Sequence, residues 1–223
     1  MGNIMNLPNG WTLPVEAIDR VAAAIVAEPI AETKQRWDGR CAAAFGKVKE
    51  QWGRLSNMAN GMGFTDPATG LAWKSSEAWY QAQRFPALAD HREAIRNAGH
   101  AFLAKQVAYE RIAESRDDWQ KQDGANPLNV AMMARALALK ATTPGMIDAL
   151  RETGDRPIVE KSWRDGYWGA RPEGSDLVGA NVLGQLLMRL RDQLAKEAGA
   201  PDEPTPRPSD GKGGRLAAML GSN

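Results

Sequence analysis
A chain of 223 residues suits a single domain with short appendages. Its 28 Lys and Arg against 27 Asp and Glu leave a net charge of +1, which argues against holding nucleic acid by bulk charge and leaves that task to a local basic cleft. One cysteine, Cys41, and two histidines, His91 and His100, exclude an intrachain disulfide and a Cys/His structural zinc site.

The segment Met1 to Thr12 is polar and punctuated by Gly and Pro, which predicts loop. Pro14 suits the first turn of a helix, and Val15, Ile18, Val21, Ala22 and Ile25 recur at helical spacing until Pro29 stops them. A second short helix is expected over Ala31 to Trp37. The apolar stretch Cys41 to Lys47 reads as a strand centred on Phe45. Gly53 to Asn60 reads as loop, and Met62 to Trp73 as a hairpin turning at Thr65-Asp66-Pro67-Ala68-Thr69-Gly70. A helix capped by Ser75 or Ser76 runs to about Arg84. Further helices are predicted over 87–97, 101–115 and 128–141, the last with Asn126-Pro127 as cap and first-turn proline. Another begins at Thr143-Pro144 and ends at Gly154. Pro157 to Ser162 reads as a short strand and Trp163 to Gly179 as a loop. Asn181 to Ala198 is an amphipathic helix with a Leu183, Leu186, Leu187, Leu190 and Leu194 stripe. Four prolines and three glycines then follow, too little apolar surface to offset ordering entropy, with Arg215 to Leu220 as a helical turn for a partner. The fold class is α+β: a mainly helical single domain with a small β-sheet. It divides into an N-terminal helical extension (1–40), a main domain (41–197) and a Pro/Gly-rich flexible tail (198–223).

The longest strictly apolar run, Val21 to Ala27, is far shorter than a membrane span, and the N-terminus lacks a basic region leading into an apolar stretch and a cleavage site. A cytoplasmic protein with no membrane partner is expected.

Eight Trp against four Phe and three Tyr make the placement of Trp informative, because its N–H wants a partner and draws it to rims and pockets. Glu77, Tyr80, Gln81 and Arg84 are spaced i, i+3, i+4, i+7 and share one helix face. A solvated polar face is the bland alternative. Against it, aromatics crowd the helix, and the macrodipole favours a charged carboxylate at Glu77 in the first turn. The run Glu160-Lys161-Ser162-Trp163-Arg164-Asp165-Gly166-Tyr167-Trp168-Gly169 is a second candidate, since a loop holding two Trp either walls a pocket or is pinned to the body by them. Trp119 is a third isolated aromatic, with a lid over the core as its plainer role. His91 and His100 are expected at the surface, Cys41 as a buried thiol, and the Met132-Met133 pair in the core. Gly61-Met62-Gly63 lacks the strand–turn–helix context of a dinucleotide fingerprint.

Four stretches carry a resemblance. They are Trp52-Gly53-Arg54-Leu55-Ser56-Asn57-Met58, Trp73-Lys74-Ser75-Ser76-Glu77-Ala78-Trp79-Tyr80-Gln81-Ala82-Gln83-Arg84-Phe85, Asp165-Gly166-Tyr167-Trp168-Gly169, and Gly179-Ala180-Asn181-Val182-Leu183-Gly184-Gln185-Leu186-Leu187-Met188. In this order they resemble the NADAR (NAD- and ADP-ribose-associated) superfamily, which includes the YbiA-like N-glycosidases, over roughly residues 41–197. The resemblance implies hydrolysis of an N-glycosidic bond between ribose and a base-like nitrogen. It implies Glu77, Asp165, Trp119 and Trp168 as the functional residues, with Glu77 and Asp165 as the catalytic pair; Trp119 and Trp168, together with Gln81, Arg84, Tyr80, Asn57 and Asn181, are expected to bind substrate. Two departures stand out. Ala78 replaces the family's His, and Arg84 its Lys; an amine needed for covalent chemistry would have to come from Lys74 or Lys105, since arginine is effectively never deprotonated.

Cleaving the C1′–N bond builds positive charge on the ribose, which a carboxylate beside the ring stabilises. Glu77 is expected in that role or in activating water, Asp165 in orienting water or ribose hydroxyls, and Trp119 and Trp168 in stacking. No cofactor or metal is expected, and water is the co-substrate. The family resemblance implies two substrate classes: ADP-ribose on guanine bases, in DNA or its nucleosides, and phosphorylated ribosylamino intermediates of riboflavin synthesis. The first is favoured. A non-catalytic ADP-ribose or NAD binding module, and an interaction protein acting through its tail, are the rival readings.

Overall fold
The computed structural model describes residues 11–199. The expected Pro/Gly-rich tail beyond Gly199 and the expected turn over Arg215 to Leu220 lie outside the described residues, whereas Ala198 and Gly199 belong to the last helix. Within them the architecture is mainly helical, with short strands in small sheets, as the α+β reading expects.

The chain opens with α1 (Ile18–Ile25), which buries Ile18, Val21, Ala22 and Ile25, the stripe legible in sequence. Trp11 and Leu13 before it join the same core. Residues 31–37 are not a helix. β1 (Gln35–Asp38) alternates between half-buried and exposed positions and pairs antiparallel with a strand at the far end of the domain, so long-range pairing overrides local propensity. β2 (Ala43–Phe45) falls inside the expected strand. β3 (Phe64–Asp66) and β4 (Leu71–Trp73) form the expected hairpin, with Gly70 at φ +69° supplying its left-handed turn residue. α2 (Ser76–Ala82) is capped by Ser75, whose hydroxyl accepts from the Ala78 N–H at 3.2 Å. Then come α3 (Ala89–Asn97) and α4 (Ala101–Glu110), the two-residue strands β5 (Gln122–Asp123) and β6 (Asn126–Pro127), α5 (Leu128–Lys140) and α6 (Pro144–Glu152). β7 (Ile158–Glu160) pairs parallel with β2, setting Phe45 opposite Glu160. The segment expected to be loop up to Gly179 holds a hairpin, β8 (Arg171–Glu173) and β9 (Asp176–Gly179), turning at Gly174. With β1 it makes a three-stranded sheet in the order β1-β9-β8. α7 (Val182–Gly199) buries the predicted leucine stripe.

α5 is the centre of the fold and packs against α1, α2 and α7. Ten of its residues are buried, around most of its circumference, which is how a central helix rather than a surface helix reads. One of them is Lys140, fully enclosed, whose ammonium donates to the carbonyls of Arg54, Leu55 and Ser56 at 2.7, 3.2 and 2.7 Å. Burial pulls this lysine down to about 7, but three acceptors match the three protons of an ammonium and keep it the bound form. Asn126 does not cap α5. Its amide instead accepts from the Ile30 N–H and donates to the carbonyls of Val26 and Glu28, clamping the end of α1 to the domain.

Several local expectations change. His91 is buried, stacked edge-on against Phe85 with ring centroids 4.6 Å apart, whereas His100 is exposed and caps α4. Cys41 is exposed rather than buried. Met133 is in the core and Met132 packs partly against it. Trp163 does not pin its loop; it is 75% exposed.

Candidate active site
The helix face formed by Glu77, Tyr80, Gln81 and Arg84 is not solvated. Glu77, Tyr80 and Gln81 are at most 5% exposed, and all four residues line one cavity of about 190 Å³. Met133 of α5 and Leu183 of α7 close its apolar side. Lys105 and Tyr109 of α4 border it, and Glu160 at the end of β7 and Asp165 and Trp168 of the following loop complete it. Arg84, Tyr80 and Trp168 also wall a second cavity of about 350 Å³, lined further by Trp119, Asn129, Tyr167 and Glu32.

Glu77 is held from two sides. Its Oε1 accepts from Gln81 Nε2 at 2.8 Å, one helical turn on, and Lys105 Nζ lies 4.0 Å away. Its own N–H reaches the Asn57 carbonyl at 3.4 Å. Asn57 lines the cavity, but its side chain is occupied: Oδ1 accepts from Ser76 Oγ at 3.0 Å, and Nδ2 points to Met133 Sδ at 3.0 Å. Asn57 therefore ties the loop held by Lys140 to the start of α2, and so positions Glu77.

Asp165 opens the site loop. Its Oδ1 accepts from the N–H groups of Tyr167 and Trp168, both at 2.9 Å, a local turn in which Oδ2 takes no part. The carbonyls of Tyr167 and Trp168 accept from the N–H groups of Val182 and Leu183, each at 3.0 Å. Those are first-turn donors of α7 with no intrahelical partner, so the helix end and the loop satisfy one another. This contact joins the Asp165–Gly169 and Gly179–Met188 stretches in space.

Asn181 stands outside the cavity lining. It is fully buried at φ 54°, the one described non-glycine residue with positive φ, between β9 and α7. Asparagine tolerates this region better than most residues. Its Nδ2 donates to the Ile158 carbonyl at 2.9 Å and its Oδ1 accepts from the Glu160 N–H at 3.0 Å. A Cβ on Gly184 would meet the Ile158 carbonyl oxygen at 2.1 Å, which is why α7 approaches β7 so closely there. Asn181 thus holds the strand that presents Glu160, and its amide is spent on the backbone.

Aromatic rings define the second cavity. Tyr80 lies tilted against Trp119 at 5.1 Å and edge-on to Trp168 at 5.9 Å, and Tyr167 meets Trp168 edge-on at 5.3 Å. The Arg84 guanidinium sits over the Trp119 ring, 4.9 Å from its centroid. The Tyr167 hydroxyl donates to Glu32 at 2.8 Å; burial and this carboxylate both raise its pKa. Burial likewise raises that of Tyr80. Of the two alternative amines, Lys74 is turned away and donates to the carbonyls of Asn97 and Ala98 at 3.3 and 3.1 Å, while Lys105 borders the site.

The walls are unsatisfied in a way that indicates a ligand site. Eight buried side-chain polar atoms among the described residues lack a hydrogen-bond partner, and four of them belong to residues that line these two cavities: Tyr80 Oη, Gln81 Oε1, Arg84 Nε and Asn129 Oδ1.

Sequence reasoning missed the role of Glu160. It stood inside the quoted Glu160–Gly169 run, but only the strand pairing turns it into the cavity. Burial and the charges of Glu77 and Asp165 push its carboxyl up to about 7, against a smaller opposing effect of Lys105. Glu32 was missed as well, since nothing in the local sequence ties it to Tyr167.

The NADAR domain model matches residues 44–195. N-glycosidase YbiA of Escherichia coli (strain K12) is 31% identical over 154 residues, covering 69% of this chain and 88% of that protein. Riboflavin biosynthesis protein VVA0006 of Vibrio vulnificus is 32% identical over 134 residues, 58% of this chain and 33% of that protein. The NMR structure of E. coli YbiA superposes with a TM-score of 0.58 at 28% identity, covering 79% of this chain and 94% of that one. The chain therefore belongs to the NADAR family and is an N-glycosyl hydrolase, which displaces the binding-only reading.

Proposed function
We propose that this hydrolase removes ADP-ribose from guanine bases, in DNA or in nucleosides derived from it. The observation that carries the reading is the pair of cavities sharing the wall Tyr80, Arg84 and Trp168. The smaller, carboxylate-lined cavity suits the ribose, where charge develops. The larger, aromatic one suits a planar base, with stacking worth roughly 1–3 kcal/mol. Asn129 Oδ1 and the Glu32 carboxylate offer acceptors there, matching the N–H donors on the edge of guanine. Arg84 and Lys105 at the border suit a diphosphate.

In this scheme Glu77 stabilises the oxocarbenium-like ribose, and Asp165 Oδ2 orients the attacking water. A second reading, hydrolysis of a phosphorylated ribosylaminopyrimidine, is favoured by one finding, the name of the Vibrio relative. The test is to incubate the purified protein with guanine-ADP-ribosylated DNA, and separately with the ribosylaminopyrimidine phosphate, with Glu77→Gln as the control. Release of ADP-ribose that depends on Glu77 is expected. Turnover of the pyrimidine substrate alone would overturn the guanine assignment.

A further inference from the structure
We infer that Glu160 is the acid that protonates the leaving nitrogen. The assignment rests on the hydrolase reading of the site and supplies a role that Glu77 and Asp165 leave vacant. Three carboxyl groups line the smaller cavity, and the protein treats them differently. Glu77 receives a hydrogen bond from Gln81 and faces the Lys105 ammonium. Asp165 receives two backbone N–H groups on one oxygen. Both carboxyls therefore already accept hydrogen bonds from the protein. Among the described residues, Glu160 receives no side-chain hydrogen bond at all.

Its backbone, by contrast, is fixed on both sides. The N–H is held by Asn181 Oδ1 at 3.0 Å, and the carbonyl accepts from the Ala170 N–H at 2.8 Å. A Cβ at Gly169 would come within 2.5 Å of that carbonyl, so the loop is packed tightly against it. The carboxyl is therefore presented from a rigid strand end with no hydrogen-bond partner among the described residues. A group placed in this way is suited to donate a proton to a ligand rather than to accept one from its neighbours. The groups facing it are Glu77 from α2, Asp165 from the loop and Lys105 from α4, and burial together with the two acids holds the proton on Glu160 up to about 7.

The balance is simple. The C1′–N bond breaks, and its electron pair goes to the nitrogen, which takes the Glu160 proton. Water adds to C1′ and gives up a proton to a carboxylate of the site. Solvent exchange then returns a proton to Glu160. The sum is substrate plus water giving free base plus the ribose product.

The experiment compares wild type and Glu160→Gln on the ADP-ribosylated guanine substrate, the ribosylaminopyrimidine phosphate and a 4-nitrophenyl riboside, whose leaving group needs no proton. On whichever base-bearing substrate wild type turns over, E160Q is expected to lower kcat by about 100-fold or more and to abolish the basic limb of the pH profile, with KM little changed. On the nitrophenyl riboside it is expected to stay within about threefold of wild type. Equal losses on both leaving groups, or an unchanged basic limb, would overturn the assignment. Carbon-13 NMR titration of the Glu160 carboxyl in the wild-type protein needs no substrate; midpoint near 7 is expected, and one in the ordinary glutamate range overturns the proposal. Failure of the guanine substrate alone overturns only the substrate reading.

Discussion
The Tyr167 hydroxyl donates at 2.8 Å to Glu32, which joins the aromatic loop of the site to a segment that lies before the family-matched residues 44–195. The N-terminal residues are thus part of the second cavity's wall. Because Glu32 is exposed and Tyr167 only half-buried, the bond's worth is on the order of 1 kcal/mol. Glu32→Ala is expected to raise KM for a guanine-bearing substrate about fivefold while leaving kcat within twofold. Steady-state kinetics on the released base checks this.

Glu77 lies within one turn of Gln81, and the helix does not depend on its charge. Glu77→Gln is expected to lower turnover by at least about 100-fold, the scale on which a single preorganised electrostatic group acts. The thermal midpoint should move by no more than a few degrees. Turnover near wild type in a folded variant would remove Glu77 from the chemistry.

Lys140 closes the Arg54–Ser56 turn from inside the core. Lys140→Met keeps the volume and removes all three donors. Each buried carbonyl left without a partner costs about 1–3 kcal/mol, so a loss of about 3 kcal/mol or more is expected in urea unfolding. Activity should fall with it, since Ser56 and Asn57 lead directly to Glu77.

Asn181 carries both an unusual backbone and two hydrogen bonds. Asn181→Gly relieves the backbone but loses the bonds, and about 2 kcal/mol of stability is expected to go with them. Asn181→Ala adds the left-handed strain and is expected to cost about 1 kcal/mol more. Parallel denaturant titrations separate the two contributions.

Glu160 makes stability depend on pH. Its folded pKa, about 7, lies above the ordinary value of 4.5, so between these values the folded protein binds more protons than the unfolded chain. Its contribution is fully present below pH 4.5 and is lost as pH rises through 7. Wild type minus E160Q stability, measured by urea unfolding at pH 5 and pH 8, should therefore be more favourable at pH 5.

The share of this protein legible in its sequence follows the range of the interactions involved. The α1 stripe, the β3–β4 hairpin, the leucine face of α7 and the Glu77-Tyr80-Gln81-Arg84 face are set by periodicity and turn residues within a few positions of one another. The four motif stretches likewise named the family before any coordinates. β1 was misread because its conformation is decided by β9, at the opposite end of the domain. Asn57 and Asn181, expected on the ligand, commit their amides to groups that position Glu77 and Glu160, because a buried amide is committed by whichever polar groups surround it. Glu32 and Glu160 gained their places only through folding, as pairing and burial bring together carboxyls that the chain keeps far apart. Sequence by itself determined the elements with local periodicity and the chemistry carried by single motifs. The tertiary structure alone decided which acids share a cavity and that the Glu160 carboxyl is pushed up, because desolvation and the field of neighbouring charges depend on distance in space and not along the chain.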